Sequence, residues 1–264
     1  MTTAQVESGG AQSVDRALSL LTLIARWGGE EVPMTALTAQ SGLSRPTVRR
    51  MLLALMRSGL VEQNPVSRNY ALGPESYVVG LMAQRRFNLL DFAMDSLKDL
   101  AAESGDSSFV SMRRGAYSVC LHREEGSYPI RTQALQVGYR HPLGVGAGAM
   151  AILAAMPDEE LAMMRQEITP LLAKGYDRYT PEVVDQSIAQ CRQNGWALNP
   201  GLYLANSWAI GVAIKAPTGD VLGALSIAAI DSRMGEDRQK DLAKMLLREA
   251  AKIEAKLRRK LGYT

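Results

Sequence analysis

Apolar positions in the first third of the chain recur with a helical period. Val14, Ala17, Leu18, Leu21, Ile24 and Ala25 give one face of a helix over 13–27, with Ser13 as a candidate cap and Asp15 at the positive end of the dipole. Leu20, Leu23 and Trp27 widen the apolar surface beyond one stripe. A short helix beginning at Met34 or Thr35 turns Ala36 and Leu37 inward, and Gly42 suits a tight turn after it. Val48, Met51, Leu52, Leu55 and Met56 form the stripe of the next helix. That helix opens on Ser44 as N-cap, carries Pro46 in its first turn and stops at Gly59. Two short apolar runs, 60–63 and 70–73, flank the polar turn Asn64-Pro65-Val66-Ser67-Arg68-Asn69 and predict a hairpin.

Farther on the pattern mixes both periods. Helices are predicted from Pro74 to about Asn88 and from Leu89 to Ser104. Alternating runs at 107–113 and 116–122, around Arg114-Gly115, predict a second hairpin, and 130–137 a further strand of a mixed sheet. Acids behind Pro157, and Thr180 before Pro181, mark two more helix starts. The nearly all-apolar runs 208–216 and 221–229 predict central strands, and 235–261 a long final helix with Leu242, Met245, Leu246, Ile253 and Leu257 inward.

Charge changes the picture at one place. Between Ser44 and Tyr70 the charged residues are Arg45, Arg49, Arg50, Arg57 and Arg68 against Glu62 alone. Arg45, Thr47, Arg49 and Arg50 lie off the apolar stripe, at the leading end of a second helix that follows a glycine turn. This is how a recognition helix enters a major groove, and a hairpin behind it makes a wing whose Arg68 can reach a phosphate. An ordinary surface helix with solvated arginines satisfies the same pattern. The overall charge of +3 does not by itself require a nucleic-acid partner.

The composition, 47% hydrophobic and 22% charged, is that of a globular protein. Two distant cysteines, Cys120 and Cys191, make no disulfide framework. With no secretory leader and no long apolar run, a cytoplasmic protein without a membrane partner is expected. The two histidines, His122 and His141, come with no His-Glu-x-x-His, metal-spaced cysteine pair or Gly-x-Ser-x-Gly. No catalytic residue, metal or cofactor is therefore assigned, and the chain is read as not an enzyme.

One further stretch carries chemistry. The loop 141–149 runs through Gly144, Gly146 and Gly148 into an apolar helix, whose first N–H groups suit an anion such as a carboxylate. Close packing of that helix on the sheet explains the small residues equally well. The spacing Gly144-x-Gly146-x-x-Ala149 also mimics a dinucleotide fingerprint. The alternative to a regulator is thus a small-molecule enzyme or nucleotide-binding protein using Gly144–Ala149, although residues 139–142 make an unconvincing preceding strand.

Ser-Val-Asp-Arg-Ala-Leu at 13–18, Gly-Leu-Ser-Arg-Pro-Thr-Val-Arg-Arg-Met-Leu at 42–52 and Tyr-Ala-Leu-Gly at 70–73 resemble, in this order, the IclR family of bacterial transcription regulators. The resemblance implies an α+β chain: a disordered tail at 1–12, a winged helix-turn-helix DNA-binding domain at 13–73, a linker helix at 74–88, and a GAF/PAS-like mixed α/β effector-binding domain at 89–262. Ser44, Arg45, Thr47, Arg49, Arg50 and Arg68 would meet the double-stranded operator. Carried over by position, a small organic acid would be lined by Ile130, Gln133, His141, Ala147, Gly148, Asn199, Ser207, Ala209, Ser226 and Ala228. The chain departs from the family at several of these places. Gly144 stands for a usual His, Met150 for a usual Lys, and Asn199 for a frequent acid, while Ala209 and Ala228 replace Cys and Ser. Trp208 and Tyr203 lie nearby in sequence and suggest an aromatic or larger acid. The family implies a homodimer with contacts at the first helix, and sometimes a dimer of dimers.

Overall fold

The structure is a computed structural model that describes residues 11–27, 30–84, 89–132, 134–260 and 262. It divides into two compact units, 1–87 and 88–264.

In the first unit three helices, α1 (Gln12–Ala25), α2 (Met34–Ser41) and α3 (Arg45–Arg57), precede the hairpin β1 (Val61–Gln63) and β2 (Tyr70–Leu72). Gly42 takes the left-handed conformation (φ 67°) that closes α2 and turns the chain into α3. The core joins Leu20 and Ile24 of α1, Leu37 of α2, and Val48, Met51, Leu52 and Leu55 of α3 to Val61 and Tyr70 of the hairpin. The α3 stripe is therefore the expected one. On α1 the expected face is met in part: Ile24 is buried and Ala17 and Leu21 pack on the core, but Val14 and Leu18 are 56% and 51% exposed and Leu20 is buried in their place. Two apolar stripes share this helix, and the core takes the one centred on Leu20. Ser13 lies inside the helix, whose cap position is Ala11. Ser44 is the α3 cap residue, but its hydroxyl meets Thr47 Oγ1 at 2.9 Å rather than a backbone N–H.

The helix α4 (Pro74–Gln84) is fastened at its start, where Ser76 Oγ donates to Leu60 O at 2.8 Å. Its Tyr77, Val78, Val79, Leu81 and Met82 are all exposed. Most of the expected tail (1–10), the basic end of the expected linker (85–88) and Gln133 lie outside the described residues.

The second unit is built on a six-stranded sheet. Its strands are β3 (Ser107–Arg114), β4 (Tyr117–Glu124), β5 (Arg140–Pro142), β6 (Ala197–Pro200), β7 (Ser207–Lys215) and β8 (Val221–Ile230), in the order β5-β4-β3-β8-β7-β6. Every pairing is antiparallel, so the sheet is not mixed in strand direction. One face packs on α5 (Leu89–Ser104) and α9 (Glu236–Lys260). The other packs on α6 (Ala147–Ala154), α7 (Asp158–Leu172) and α8 (Pro181–Asn194). Cover on both faces explains the nearly continuous apolar runs of β7 and β8. Asp106, whose side chain is 2% exposed, pins the start of β3 to Arg233 Nε at 2.9 Å and to Arg238 Nη2 at 2.7 Å.

The expected strand at 130–137 does not form among the described residues there. The edge of β4 pairs instead with Arg140–Pro142, and 130–132 and 134–139 run as irregular chain with Ile130 and Val137 exposed. Ala134 and Leu135 turn onto a cavity instead of joining a ladder. The short strand β6 was not expected, because its four residues end in Pro200 and carry no period.

Candidate functional site

The first candidate surface is the leading end of α3. With Val48, Met51 and Leu52 buried behind it, the helix presents Arg45, Arg49 and Arg50 to solvent and leaves Thr47 half-buried. No salt bridge among the described residues engages Arg45, Arg49, Arg50 or Arg68. Free guanidinium groups on a rigid helix suit both bidentate base contacts and phosphate neutralisation. Glu62 lies on the adjoining strand β1 and does not cancel them.

The hairpin loop is tightly organised. Asn64 Oδ1 accepts from Val66 N at 2.8 Å and Ser67 N at 3.1 Å, and Arg68 takes a positive φ of 60°. Glu31 clamps the loop from outside, accepting from Ser67 Oγ at 2.5 Å and from the Asn64 side-chain amide. These hydrogen bonds hold its carboxyl below the usual carboxylate range, Ser67 first and Asn64 second. Sequence reading passed over Glu31, because its partners are more than thirty residues away. Glu31→Ala should loosen the wing and weaken operator binding about two- to tenfold, the cost of ordering one or two side chains anew. Unchanged affinity by fluorescence anisotropy would show that the wing does not depend on this clamp.

The second candidate site is a cavity in the second unit, about 590 Å³ of space counting its mouth. It lies between the sheet and the start of α6. Gly211 on β7 makes this approach possible: a Cβ there would stand 2.7 Å from the Ala147 carbonyl and 2.8 Å from Gly148 N. Gly148 faces Ser226, with 3.5 Å from its would-be Cβ to Ser226 Oγ. The resulting wall holds His141, Ala147, Gly148, Asn199, Ser207, Ala209, Ser226 and Ala228, eight of the ten residues carried over by resemblance. Ile130 lies off this wall and is exposed. Phe109, Ser111, Ser118, Thr132 and Tyr203 also line the cavity. The β3 and β4 residues among them had no motif to mark them and join only through strand register.

No lining residue carries a formal charge at neutral pH. Met150, where the family often has Lys, is buried in the core beside the loop. The concentrated positive potential within the wall is the α6 N-terminus, equivalent to about half a unit charge. Around it Gly146 N donates to Tyr179 Oη at 3.1 Å. That hydroxyl donates in turn to Asn199 Oδ1 at 3.3 Å. Leu202 N also donates to Asn199 Oδ1, at 3.2 Å. With its oxygen engaged twice, the hydrogen-bonding capacity Asn199 has left is its Nδ2 hydrogens. An acid at this place would add a negative charge to the wall, and the asparagine does not.

His141 stands 8% exposed, edge-on to Tyr203 at 4.6 Å between ring centroids. Its Nδ1 meets Tyr176 Oη at 3.4 Å, and its Nε2 is buried without a partner. Burial pushes its pKa down to about 4, so the ring is neutral at physiological pH. The unfolded chain protonates this imidazole below about 6.5 and the folded chain does not. The unfolded state thus binds more protons between these values, and stability falls as pH drops through that window, by up to about 3 kcal/mol at the acid end. His141→Gln should flatten the stability profile between pH 6.5 and 4 relative to the native chain, read by urea unfolding. Parallel profiles would mean that His141 titrates normally.

The arrangement binds rather than reacts. The nucleotide reading of the loop fails on topology: β5 is antiparallel to its neighbour, so no strand–helix–strand crossover delivers a dinucleotide phosphate to α6. Cys120 and Cys191 are buried thiols pushed up to about 12 and about 11 by desolvation, and neither is a nucleophile at neutral pH. Among the described residues no cluster of His, Cys, Asp or Glu can hold a metal ion, and no helix is long and apolar enough to cross a membrane.

Comparison with known proteins agrees with both units. A family model described as "Bacterial transcriptional regulator IclR C-terminal" matches residues 82–255, and the "IclR helix-turn-helix domain" matches residues 13–65. The HTH-type transcriptional regulator KipR of Bacillus subtilis is 28% identical over 96% of this chain and 98% of its own length. The transcriptional repressor IclR of Escherichia coli is 24% identical over 93% and 90%. These relatives are regulators and repressors, not enzymes. The fold is shared with an IclR homologue from Microbacterium hydrocarbonoxydans complexed with 4-hydroxybenzoate, at a TM-score of 0.75 and 18% identity over 94% of this chain and 99% of that one. A regulator from Alicyclobacillus acidocaldarius has the same TM-score at 23% identity over 92% and 98%. With both family models matched, one over residues 13–65 and the other over 82–255, the chain belongs to the IclR family of DNA-binding bacterial transcription regulators.

Proposed function

We propose that this regulator reads its operator through Ser44, Arg45, Thr47, Arg49, Arg50 and Arg68, and that a small organic acid in the second unit changes its grip. The observation that carries the acid is the uncharged cavity closed on one side by the α6 N-terminus, with Ser226 Oγ facing Gly148 and Asn199 in the same wall. Such a wall favours a carboxylate and rejects a cation. The aromatic rings of Phe109, Tyr203 and His141 suit an aromatic body on that acid. The relative that holds 4-hydroxybenzoate is in keeping with this choice.

The protein works as a homodimer in the cytoplasm. Exposed Val14 and Leu18 on α1, and the apolar surface of α4, are what a second copy would cover. Two reading heads would then meet half-sites about 34 Å apart or multiples of it. The acid acts by binding one packing of the second unit better than another.

The test is binding to duplex from upstream of the gene across a salt series, then with acids added. Sequence-preferring binding, with a log–log salt slope near −0.9 per phosphate contact, is expected. Carboxylic acids should shift it. Equal affinity for random duplex at every salt would overturn the operator assignment, and indifference to every acid would overturn the effector assignment.

A further inference from the structure

Two buried side-chain polar atoms without a hydrogen-bond partner, His141 Nε2 and Thr132 Oγ1, belong to residues of the cavity wall of the second unit. Arg123 Nε, on a residue outside that wall, is likewise unpartnered. Strand register says where Arg123 stands. Phe109 pairs with Arg123 on one side and with Ser226 on the other, and Ser226 pairs with Gly211. Directly paired residues point to the same sheet face. Arg123, Phe109, Ser226 and Gly211 thus form one row across the sheet, with Gly211 and Ser226 against the start of α6 and Arg123 about 10 Å from Ser226, two strand spacings away. The Arg123 guanidinium lies over the Phe109 ring, 5.9 Å from its centroid, and its side chain is 14% exposed.

Arg123 shares its carboxylate partner, while the neighbouring Glu124 is taken up by His122 Nε2 at 3.2 Å. The Nη2 of Arg123 reaches Glu125 Oε1 at 3.2 Å, and the other oxygen of Glu125 is held by Arg131 Nη1 at 2.9 Å. Two cations share one carboxylate. The Nε–H of Arg123, desolvated and unsatisfied, is left over. Thr132, next in sequence to Arg131, adds an unsatisfied hydroxyl in the cavity wall. Leaving such donors unpaired costs about 1–3 kcal/mol each. A carboxylate is a group that satisfies an arginine N–H and a hydroxyl together.

We propose that the ligand is a dicarboxylic acid, one carboxylate resting on the α6 N-terminus and the second received by Thr132 Oγ1 and the Nε–H of Arg123. The inference rests on the acid-binding reading above and adds a second anionic pole to it. Arg123 and Thr132 then fix ligand length and select diacids over monoacids. His141, neutral and beside the first pole, accepts or donates one hydrogen bond without repelling either charge.

The test is calorimetry on the full chain at pH 7.5 with glutarate, adipate and terephthalate, the monomethyl ester of each, and benzoate. At least one diacid should bind tenfold or more tightly than its own monoester. Arg123→Gln should erase that gap while leaving the monoester's affinity within twofold, and Thr132→Val should narrow it. A monoester binding as well as its diacid, or a gap that survives both substitutions, overturns the proposal. Binding of benzoate with no diacid bound overturns it too and leaves the acid-sensing reading intact. If no carboxylate binds at all, the acid-sensing reading falls with it. Should Arg123→Gln fail to fold, the native diacid-to-monoester gap and Thr132→Val still decide.

Discussion

Replacing Gly211 by alanine is expected to abolish the response to the acid while leaving operator binding in its absence nearly intact. The added methyl would stand 2.7 Å from the Ala147 carbonyl and 2.8 Å from the Gly148 nitrogen. These are backbone atoms, so no side chain can swing aside, and the first turn of α6 must move. The N–H groups proposed to receive a carboxylate move with it. Hydrogen bonds to a charged group contribute about 1.5–3 kcal/mol each. Losing one or two of them corresponds to a fall in affinity of about a hundredfold. The overpacking itself should cost about 1–3 kcal/mol of stability. Gly235→Ala is the control, since a Cβ there meets nothing within 4 Å at an ordinary φ. Calorimetry gives acid affinity and anisotropy gives operator affinity. Full acid affinity in the Gly211→Ala protein would show that α6 does not hold the ligand.

The same residue shows what the sequence could and could not disclose. Nothing local distinguishes Gly211 in the run Ile210-Gly211-Val212. Its role appears only when β7 lies under α6, a contact between segments about sixty residues apart. Gly146 and Gly148 were visible as a cluster because the loop and helix start are contiguous in the chain. Local signals behave alike elsewhere. The α3 stripe and the caps at Gly42, Thr180 and Gly195 sit where their residue types place them. Failures come where two readings are locally equal. The helix α1 has two apolar stripes, and only the packing of α3 and β2 selects Leu20 over Leu18. Residues 130–137 were expected as a strand, yet the β4 edge goes to Arg140–Pro142. Part of the cavity wall was also out of reach. Phe109, Ser111 and Ser118 enter it by register across β3 and β4, which a single sequence does not encode locally.

Substituting both Arg49 and Arg50 by alanine should remove most operator affinity without unfolding the first unit. Both side chains are exposed, and the helix that carries them is held by Val48, Met51, Leu52 and Leu55 on its opposite face. Alanine is the better helix former, so the fold keeps its core and loses only charge. A bidentate arginine contact to a base contributes about 1–3 kcal/mol of discrimination. A phosphate contact carries a salt slope of about −0.9. The two roles are separable in one experiment. If one arginine reads a base and the other a phosphate, affinity should fall by about two orders of magnitude per reading head, and the salt slope should become shallower by about one per head. If both contact phosphate, the slope changes by about twice that and preference for the operator over random duplex survives. Loss of preference with an unchanged slope would make both base readers. An affinity unmoved by the double substitution would place the reading surface away from the leading end of α3. The exposed Arg45 and the half-buried Thr47 would then lose their assignment together with Arg49 and Arg50, since all four rest on the same helix end.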